Sequence, residues 1–210
     1  MPQPKPASSR TRVRRAPRRG VYDPGTVRAI LDQALICHVG FEVDGHPAVV
    51  PVACARDGDS LLLHCARQSR LAQALETNQE ICVAVTHLDG LVLARSAFHH
   101  SMNYRSVVIY GRPRPITRAA ELRRVLQVLT DHLAPGRWEH IRQPSPKELR
   151  ATVVFSLPIG EASAKVRAGP PLDDPGDLEH PVWAGVIPLG TLRGRPQPDG
   201  PDLAAGRPAD

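Results

Sequence analysis

Short apolar stretches separated by Asp-Gly turns dominate the first half of this sequence. Three Asp-Gly pairs, beginning at Asp44, Asp57 and Asp89, each lie between two such stretches. This dipeptide between apolar runs is typical of tight β-hairpins. The pattern predicts strands over residues 37–43, 48–53, 60–64, 81–88, 91–94, 107–112 and 151–158. Strands that follow one another so closely leave no room for crossover helices, so the sequence predicts an antiparallel sheet.

Helical periodicity is confined to three segments. The first begins with Asp23 as the N-cap and Pro24 at the first helical position, and its apolar residues repeat at helical spacing up to Leu35. Residues 67–77 and 119–133 are also amphipathic. Helices so few in number cannot cover both faces of a sheet. The sequence therefore predicts a mainly β fold, a closed or nearly closed antiparallel barrel with peripheral α-helices.

The positive charge of the chain is concentrated at its start. The net charge is +6, and residues 1–20 carry seven Lys and Arg and no acid. The remaining residues hold 20 basic and 21 acidic side chains, a net charge of −1. We therefore expect a disordered basic tail over 1–20, one domain over 21–189 and a disordered Pro/Gly-rich tail over 190–210. The tail could contact nucleic acid without specificity, but specific nucleic-acid binding is not expected.

The cysteines and the hydropathy pattern exclude other classes of protein. Cys37, Cys54, Cys65 and Cys82 are 17, 11 and 17 positions apart, with no Cys-x-x-Cys pair. Their apolar surroundings predict buried thiols rather than zinc ligands or disulfides. No stretch is long and apolar enough for a membrane span, and no secretory signal is recognisable. We expect a cytoplasmic protein.

Two polar segments are candidates for chemistry. In the first, a strand ends at His64 and a helix follows, with Arg67, Ser69 and Arg70 at the junction. Unpaired N–H groups at a helix start and nearby guanidinium groups could bind a phosphate. Residues of this kind near a helix start more often form a solvated surface, and no glycine-rich phosphate loop is present.

The second segment, residues 97–111, combines His99-His100 with an Asn-Tyr-Arg-Ser run directly before a strand. It could be a metal site, a nucleic-acid surface or a pocket for a phosphorylated cofactor. Strand alternation would place Tyr104 and Ser106 on one face and the residues beside them on the other. Adjacent histidines on extended chain point apart, and no His-x-His or His-Glu-x-x-His motif accompanies them, so metal binding is disfavoured.

Two long stretches carry a family resemblance. "ALICHVGFEVDGHPAVVPVACARDGDSLLLHCA" and "LDGLVLARSAFHHSMNYRSVVIYGR" resemble the pyridoxamine 5′-phosphate oxidase-like flavoproteins. Within that superfamily they are similar to the flavin-nucleotide-binding group related to the nitroimidazole-resistance reductases, and the similarity extends over residues 20–190. The resemblance implies an FMN-binding split β-barrel of the Greek-key type, usually a homodimer with the flavin between the subunits.

The resemblance also implies site residues. It assigns the flavin phosphate to His64, Arg67, Ser69 and Arg70, helped by Arg105. It places the backbone of Pro51, Val52 and Ala53 at the edge of the isoalloxazine ring. It places Asn103, Tyr104 and Ser106 in the cofactor cleft, and Lys165, Arg167 and Trp183 where they would close it. Nitroimidazole-resistance proteins can carry histidine at the position of Arg70, so nitro-group reduction is not implied here.

The implied function is that of an oxidoreductase that uses FMN, takes electrons from NAD(P)H and reduces a small acceptor. No catalytic carboxylate pair or Ser-His-Asp set is required, because a flavin carries the redox chemistry. The alternative is a protein that binds or stores a flavin nucleotide, haem or a deazaflavin without catalysis. With haem, His64, His99 or His100 would be the candidate axial ligand.

Overall fold

The computed structural model describes residues 4–200, and the predictions for residues 1–3 and 201–210 lie outside them. The strands are β1 (Gly20–Val21), β2 (Ile36–Val43), β3 (His46–Asp57), β4 (Ser60–Ala66), β5 (Ile81–Leu93), β6 (Ser101–Gly111), β7 (Arg114–Pro115), β8 (Thr152–Pro158), β9 (Ala162–Arg167) and β10 (Gly185–Pro188). The helices are α1 (Pro24–Asp32), α2 (Arg70–Glu76), α3 (Ala119–Leu133) and α4 (Pro146–Ala151). No helix within the described range is long and apolar enough to cross a membrane.

The strands of residues 4–200 form one antiparallel sheet in the order β1-β9-β6-β5-β2-β3-β4-β8-β7, with β10 paired to β5. Strand β3 changes partner along its length. It pairs with β2 from His46 to Ala53 and with β4 only from Cys54 to Asp57. The sheet therefore opens into two parts between β3 and β4. This arrangement confirms the predicted mainly β split barrel with peripheral helices.

The apolar residues form two cores on opposite faces of β4. Leu61 and Leu63 point into the barrel, where they join a cluster that includes Phe155. Leu62, between them, points outward and packs with α3 and α4 through Val125 and its neighbours. Because side chains alternate along a strand, a continuous apolar run such as this one is buried on both faces. The helices α3 and α4 thus cover the part of the sheet formed by β4 and β8.

Strand β5 differs from the prediction. The Asp89-Gly90 pair was expected to end a strand, but β5 runs on from Ile81 to Leu93 with only a bulge between Leu88 and Gly90. Its neighbours β6 and β10 extend past this point and satisfy its backbone groups. A side chain at Gly90 would come within 3.0 Å of the Ile187 carbonyl oxygen, so glycine here allows β10 to approach.

Other boundaries were predicted with mixed success. Helix α3 has the predicted bounds, whereas α2 begins at Arg70 rather than at residue 67. Strand β6 begins at Ser101, so the Asn-Tyr-Arg-Ser run lies inside the strand and not before it. The short strand β10 was not predicted. Its pairing with β5 is a long-range contact that local sequence pattern does not encode.

Three of the cysteines are buried free thiols, as predicted, and Cys82 is half-buried. Burial raises the pKa of the Cys65 thiol to about 11. The Cys65 thiol is therefore protonated at neutral pH, and buried free cysteines pack as small apolar side chains.

The basic segment before β1 contacts the barrel. Arg10 forms a two-pronged ion pair with Glu80 at 2.7 Å, pairs with Glu161 and lies over the ring of Tyr110. Thr11 is 1% exposed. The sequence predicted none of these contacts. The domain boundaries at residues 20 and 190 stay predictions.

Candidate functional site

A cleft opens where β3 and β4 separate. Its walls are the first half of β3, the end of β4 and the start of α2, and its volume is about 750 Å³. Pockets for cofactors have volumes of about 300–1,000 Å³. The cleft brings together six of the predicted site residues, namely Pro51, Val52, Ala53, His64, Ser69 and Arg70. It is also lined by residues that the sequence analysis did not select, including Phe41, Val43, Cys65 and Leu71.

The backbone of β3 has an open edge along the cleft. The Cys54 N–H donates to the Leu35 carbonyl at 3.3 Å, on the β2 side of the strand. Successive N–H groups of a strand point to opposite edges, so the Ala53 N–H points toward the cleft. Pro51 has its backbone on this same edge and has no N–H to leave unpaired. The edge can therefore present a backbone donor to a bound ligand.

Ser69 and Arg70 supply the polar end of the cleft. The Ser69 hydroxyl oxygen accepts a hydrogen bond of 3.1 Å from the Ala72 N–H and caps α2, which leaves the hydroxyl proton available as a donor. Arg70 is exposed, and within residues 4–200 it forms no ion pair with a carboxylate. Because α2 has only seven residues, the attraction for an anion depends on Arg70 more than on the helix dipole.

Substitutions of Ser69 separate its two roles. We expect Ser69→Ala to lower the free energy of unfolding by about 1 kcal/mol, because the N-cap is lost. Ser69→Asp keeps the cap, so its stability should match the wild type, but its charge should repel a phosphate in the cleft. Thermal or urea unfolding measures the first effect and a flavin titration the second. Equal loss of stability in both variants would contradict the capping role.

His64 lies at the wall of the cleft and is an exposed residue of β4. Partial burial lowers the pKa of its imidazole. In the unfolded chain the imidazole takes up a proton below about pH 6.5, whereas the folded protein resists protonation. Acidification below this value therefore favours the unfolded state, and His64 contributes to the loss of stability.

We expect His64→Gln to flatten the pH dependence of stability. Between pH 7 and pH 5 the variant should lose less unfolding free energy than the wild type, as measured by urea denaturation at each pH. His180→Gln, in an exposed loop position, is the matched control. Parallel pH profiles for His64→Gln and the wild type would contradict the assignment.

Arg67 lies outside the cleft. Its guanidinium donates to the Arg150 carbonyl at 3.0 Å and pairs with Glu76 at 3.2 Å. These contacts tie the start of α2 to the end of α4. The structure therefore does not bring Arg67 together with Ser69 and Arg70, and its phosphate role stays a prediction.

The residues of β6 are held by other contacts. Arg105 forms a two-pronged ion pair with Asp89 at 2.8 and 2.9 Å and also donates to Gln33 at 2.7 Å. This pairing lowers the pKa of Asp89 and compensates the charge of Arg105. Asn103 donates to the Gly169 carbonyl at 3.2 Å. The charge of Arg105 is thus neutralised by Asp89 within the same subunit.

Within one subunit the two predicted segments do not converge. Strand β6 is separated from β3 by β5 and β2, which places the two about 14 Å apart at ordinary strand spacing. Ser106 donates to the Lys165 carbonyl at 3.3 Å on the neighbouring strand β9. Tyr104 and Lys165 lie on the β6–β9 side of the sheet, away from the cleft. A ligand contacting both segments would need a second copy of the chain or a path across the sheet.

The outer face of the sheet between these segments is largely uncharged. Ile36 is 56% exposed and Val49 67% exposed. His38 lies between Pro51 of β3 and Ala84 of β5 on the same face. Exposed apolar side chains on adjacent strands are typical of surfaces that become buried by association. In sequence, these residues are the positions of β2 and β3 that alternate with the buried ones.

Trp183 is 63% exposed and is not a core residue. Its ring lies against Gly185, where a side chain would come within 2.8 Å of the indole. Glycine at position 185 therefore lets the ring pack flat on the start of β10. Whether Trp183 closes a cofactor cleft stays a prediction.

The adjacent histidines have different partners. The His99 Nε2 lies 3.1 Å from a carboxylate oxygen of Asp174. The His100 Nδ1 lies 2.9 Å from the Ser96 carbonyl oxygen, which can only accept, so Nδ1 is the donor. In the neutral imidazole with this tautomer, Nε2 carries the lone pair. Of the predicted haem-ligand candidates, His100 therefore has the ring arrangement common among metal-binding histidines.

The open edge of β3, the capped start of α2 and the change of strand partners define a split β-barrel with a cleft between β3 and β4. The model of the pyridoxamine 5′-phosphate oxidase family matches residues 23–166. The chain belongs to this family.

Solved structures with the same fold include two of substantial identity. The flavocytochrome Anf3 of Azotobacter vinelandii is 45% identical, with a TM-score of 0.91 over 96% of this chain and 94% of that one. An FAD- and haem-binding protein of Mycobacterium smegmatis is 37% identical, with a TM-score of 0.84 over 91% and 94%. A putative 5-nitroimidazole resistance protein of Bacteroides thetaiotaomicron, 24% identical with a TM-score of 0.59 over 70% and 86%, shares the fold. None of the curated proteins matches the sequence.

Proposed function

We propose that this protein is a flavin-dependent oxidoreductase that binds the flavin nucleotide in the cleft between β3 and β4. The observation that carries the proposal is the convergence of the β3 backbone edge, the Ser69 hydroxyl and Arg70 on one cavity of suitable volume. A backbone edge suits a flat heterocycle with polar margins, and the hydroxyl–guanidinium pair suits a phosphate. The donor set therefore fits a flavin nucleotide.

Each part of the chain has a defined task in this proposal. A bound flavin supplies hydride and electron transfer. Arg70 and Ser69 anchor its phosphate, and the Ala53 N–H donates to the margin of the ring, where a preorganised donor stabilises negative charge on reduction. The apolar wall formed by Phe41, Val43 and Leu71 limits the access of water.

We also propose that the protein is a homodimer with NAD(P)H as electron donor and a small molecule as acceptor. Dimer formation would bury Ile36 and Val49. It would also allow the cleft of one subunit to meet β6, β9 and Trp183 of its partner. The choice of NAD(P)H as electron donor and of a small molecule as acceptor rests on the family resemblance.

The sequence resemblance favours FMN, whereas one similar structure is that of an FAD- and haem-binding protein. Both flavins share the ring and the first phosphate, which are the groups that the cleft accommodates. We therefore propose a flavin nucleotide and leave FMN as the sequence-based prediction. Release of the cofactor by heat and its chromatography against FMN and FAD standards distinguishes the two.

The test of the proposed function is the absorption spectrum of the purified protein followed by anaerobic titration with NADPH and NADH. The expected result is a two-band yellow spectrum that is bleached by at least one of the two donors. A protein that purifies colourless and does not take up added FMN or FAD would overturn the flavin assignment. A bound flavin that neither donor reduces would leave a binding protein and overturn the oxidoreductase assignment.

A second candidate function is electron transfer between flavin and haem in the same protein. It is supported by the two relatives of 45% and 37% identity, described as a flavocytochrome and as an FAD- and haem-binding protein. The contact of His100 with the Ser96 carbonyl leaves Nε2 free to bind iron, and Phe98, 89% exposed, is an apolar neighbour. An intense Soret band that His100→Ala abolishes and His180→Ala preserves is the expected result.

A further inference from the structure

Arg167, at the end of β9, is a buried cation without a carboxylate partner. It is 8% exposed, and no other Arg or Lys within residues 4–200 is buried to this degree. Its guanidinium donates to the Asn103 side-chain oxygen, to the Gly169 carbonyl at 3.2 Å and to the Pro170 carbonyl at 3.1 Å. All three acceptors are neutral. Removing a charge from water costs several kcal/mol unless an opposite charge compensates it.

Other arginines of the barrel have a carboxylate that compensates their charge. Arg105, on the neighbouring strand, faces Asp89 at 2.8 Å. Arg95 faces Asp173 at 2.9 Å, and Arg56 faces Asp32 at 2.7 Å. The described part of the chain places no acid within ion-pair distance of Arg167, although residues 21–210 hold 21 acidic and 20 basic side chains.

Further cations surround Arg167 instead. Lys165 lies two residues earlier on β9, on the same face of the strand, and pairs across to Gly20. Arg19 directly precedes Gly20, in the short 3-10 turn Pro17–Arg19. Burial and the nearby charge of Arg19 both lower the pKa of Arg167. The tertiary structure thus brings three positive side chains from two distant parts of the sequence to one edge of the sheet.

We propose that Arg167, Lys165 and Arg19 form a second anion site, separate within one subunit from the Ser69–Arg70 end of the cleft, that binds a phosphate group of a nucleotide. Phosphate is the chemistry that matches, because it carries more than one negative charge and accepts two parallel hydrogen bonds from a guanidinium. The contacts to Asn103, Gly169 and Pro170 orient the guanidinium before binding. Only the choice of a nucleotide as the ligand depends on the proposed function.

The site can be tested with inorganic pyrophosphate as the probe. We expect saturable binding of pyrophosphate to the full-length protein by calorimetry, at constant ionic strength. Arg167→Gln should weaken this binding by at least about tenfold, since a charge-assisted hydrogen bond is lost. Arg14→Gln removes the same charge from an exposed position of the basic segment and should leave binding unchanged. Absence of saturable binding, or equal binding by wild type and Arg167→Gln, overturns the site.

Arg167 also holds the loop that follows β9, so its substitution could impair folding. Lys165→Gln and Arg19→Gln keep the proposal testable, because both side chains are half-buried and have no carboxylate partner in the described range. Each is expected to weaken pyrophosphate binding about tenfold with unchanged thermal stability. Binding that neither change affects overturns the site.

The same variants show whether the phosphate bound at this site belongs to the flavin nucleotide or to NAD(P)H. If it belongs to the flavin nucleotide, Lys165→Gln and Arg19→Gln should purify with less flavin. If it belongs to NAD(P)H, flavin content should stay constant while the concentration of donor needed for reduction rises. Variants that lose pyrophosphate binding but change neither property overturn the nucleotide assignment. Pyrophosphate binding that depends on Arg167 in a protein without flavin would support the site and contradict only the proposed function.

Discussion

Replacement of Arg70 by alanine is expected to weaken flavin binding by about ten- to a hundredfold, the loss of a charge-assisted hydrogen bond of roughly 1.5–3 kcal/mol. Arg70 lines the cleft, and no carboxylate in residues 4–200 neutralises it. Its charge is therefore available to a ligand phosphate. Quenching of flavin fluorescence in a titration of the apoprotein measures the change.

Two matched substitutions make the Arg70 experiment specific. Arg118→Ala removes the same charge at the start of α3, where the side chain is 88% exposed, and should not change flavin affinity. Arg67→Ala tests the residue that the structure places outside the cleft, and we expect it to affect stability more than affinity. If Arg70→Ala binds flavin with wild-type affinity, the flavin phosphate does not bind at Arg70 in this cleft. A larger effect for Arg67→Ala would restore the assignment made from the sequence.

The second large effect is expected from Val49→Lys. Val49 is 67% exposed on the outer face of the sheet, and a dimer formed through this face would bury it. An ammonium group without a partner in an apolar interface costs several kcal/mol, which raises the dimer dissociation constant by more than about a hundredfold. The variant should sediment as a monomer. Its flavin content does not report on the interface alone, because Val49 also lines the cleft.

The control for this change is Leu192→Lys, which places the same charge at a position 91% exposed in the C-terminal segment. It should leave both the oligomeric state and the flavin content unchanged. A Val49→Lys protein that remains a dimer with full flavin content would show that the outer face of β2 and β3 is not the interface.

Local pattern was sufficient for much of the fold. Apolar alternation and turn residues located β2, β4 and β8, and the periodicity of α3 gave both of its ends. It failed at Asp89-Gly90, where a strong turn signal lies inside β5. There the hydrogen bonds to β6 and β10 outweigh the local preference, because a strand with partners on both sides satisfies every backbone group.

The candidate site, too, could be predicted from the sequence only in part. Ser69 was predicted to contact a phosphate, and its position at the junction follows from the change from strand to helix periodicity. Arg67 and Arg70 have the same chemistry and lie three positions apart, so the sequence could not distinguish them. The fold directs one to Glu76 and the Arg150 carbonyl and leaves the other facing the cleft.

The sequence by itself determined the antiparallel β class, the buried thiols, the helix α3 and the family to which the chain belongs. The first three follow from residue types at short spacing, where periodicity and turn chemistry act directly. The family follows from the resemblance of long stretches of the sequence to a known group of proteins. Only the tertiary structure decided which charges are neutralised within the subunit and which are not. Arg105 meets Asp89, whereas Arg167 meets neutral acceptors and other cations. The partner of a charge is set by the pairing of strands distant in sequence, and no local pattern carries that information.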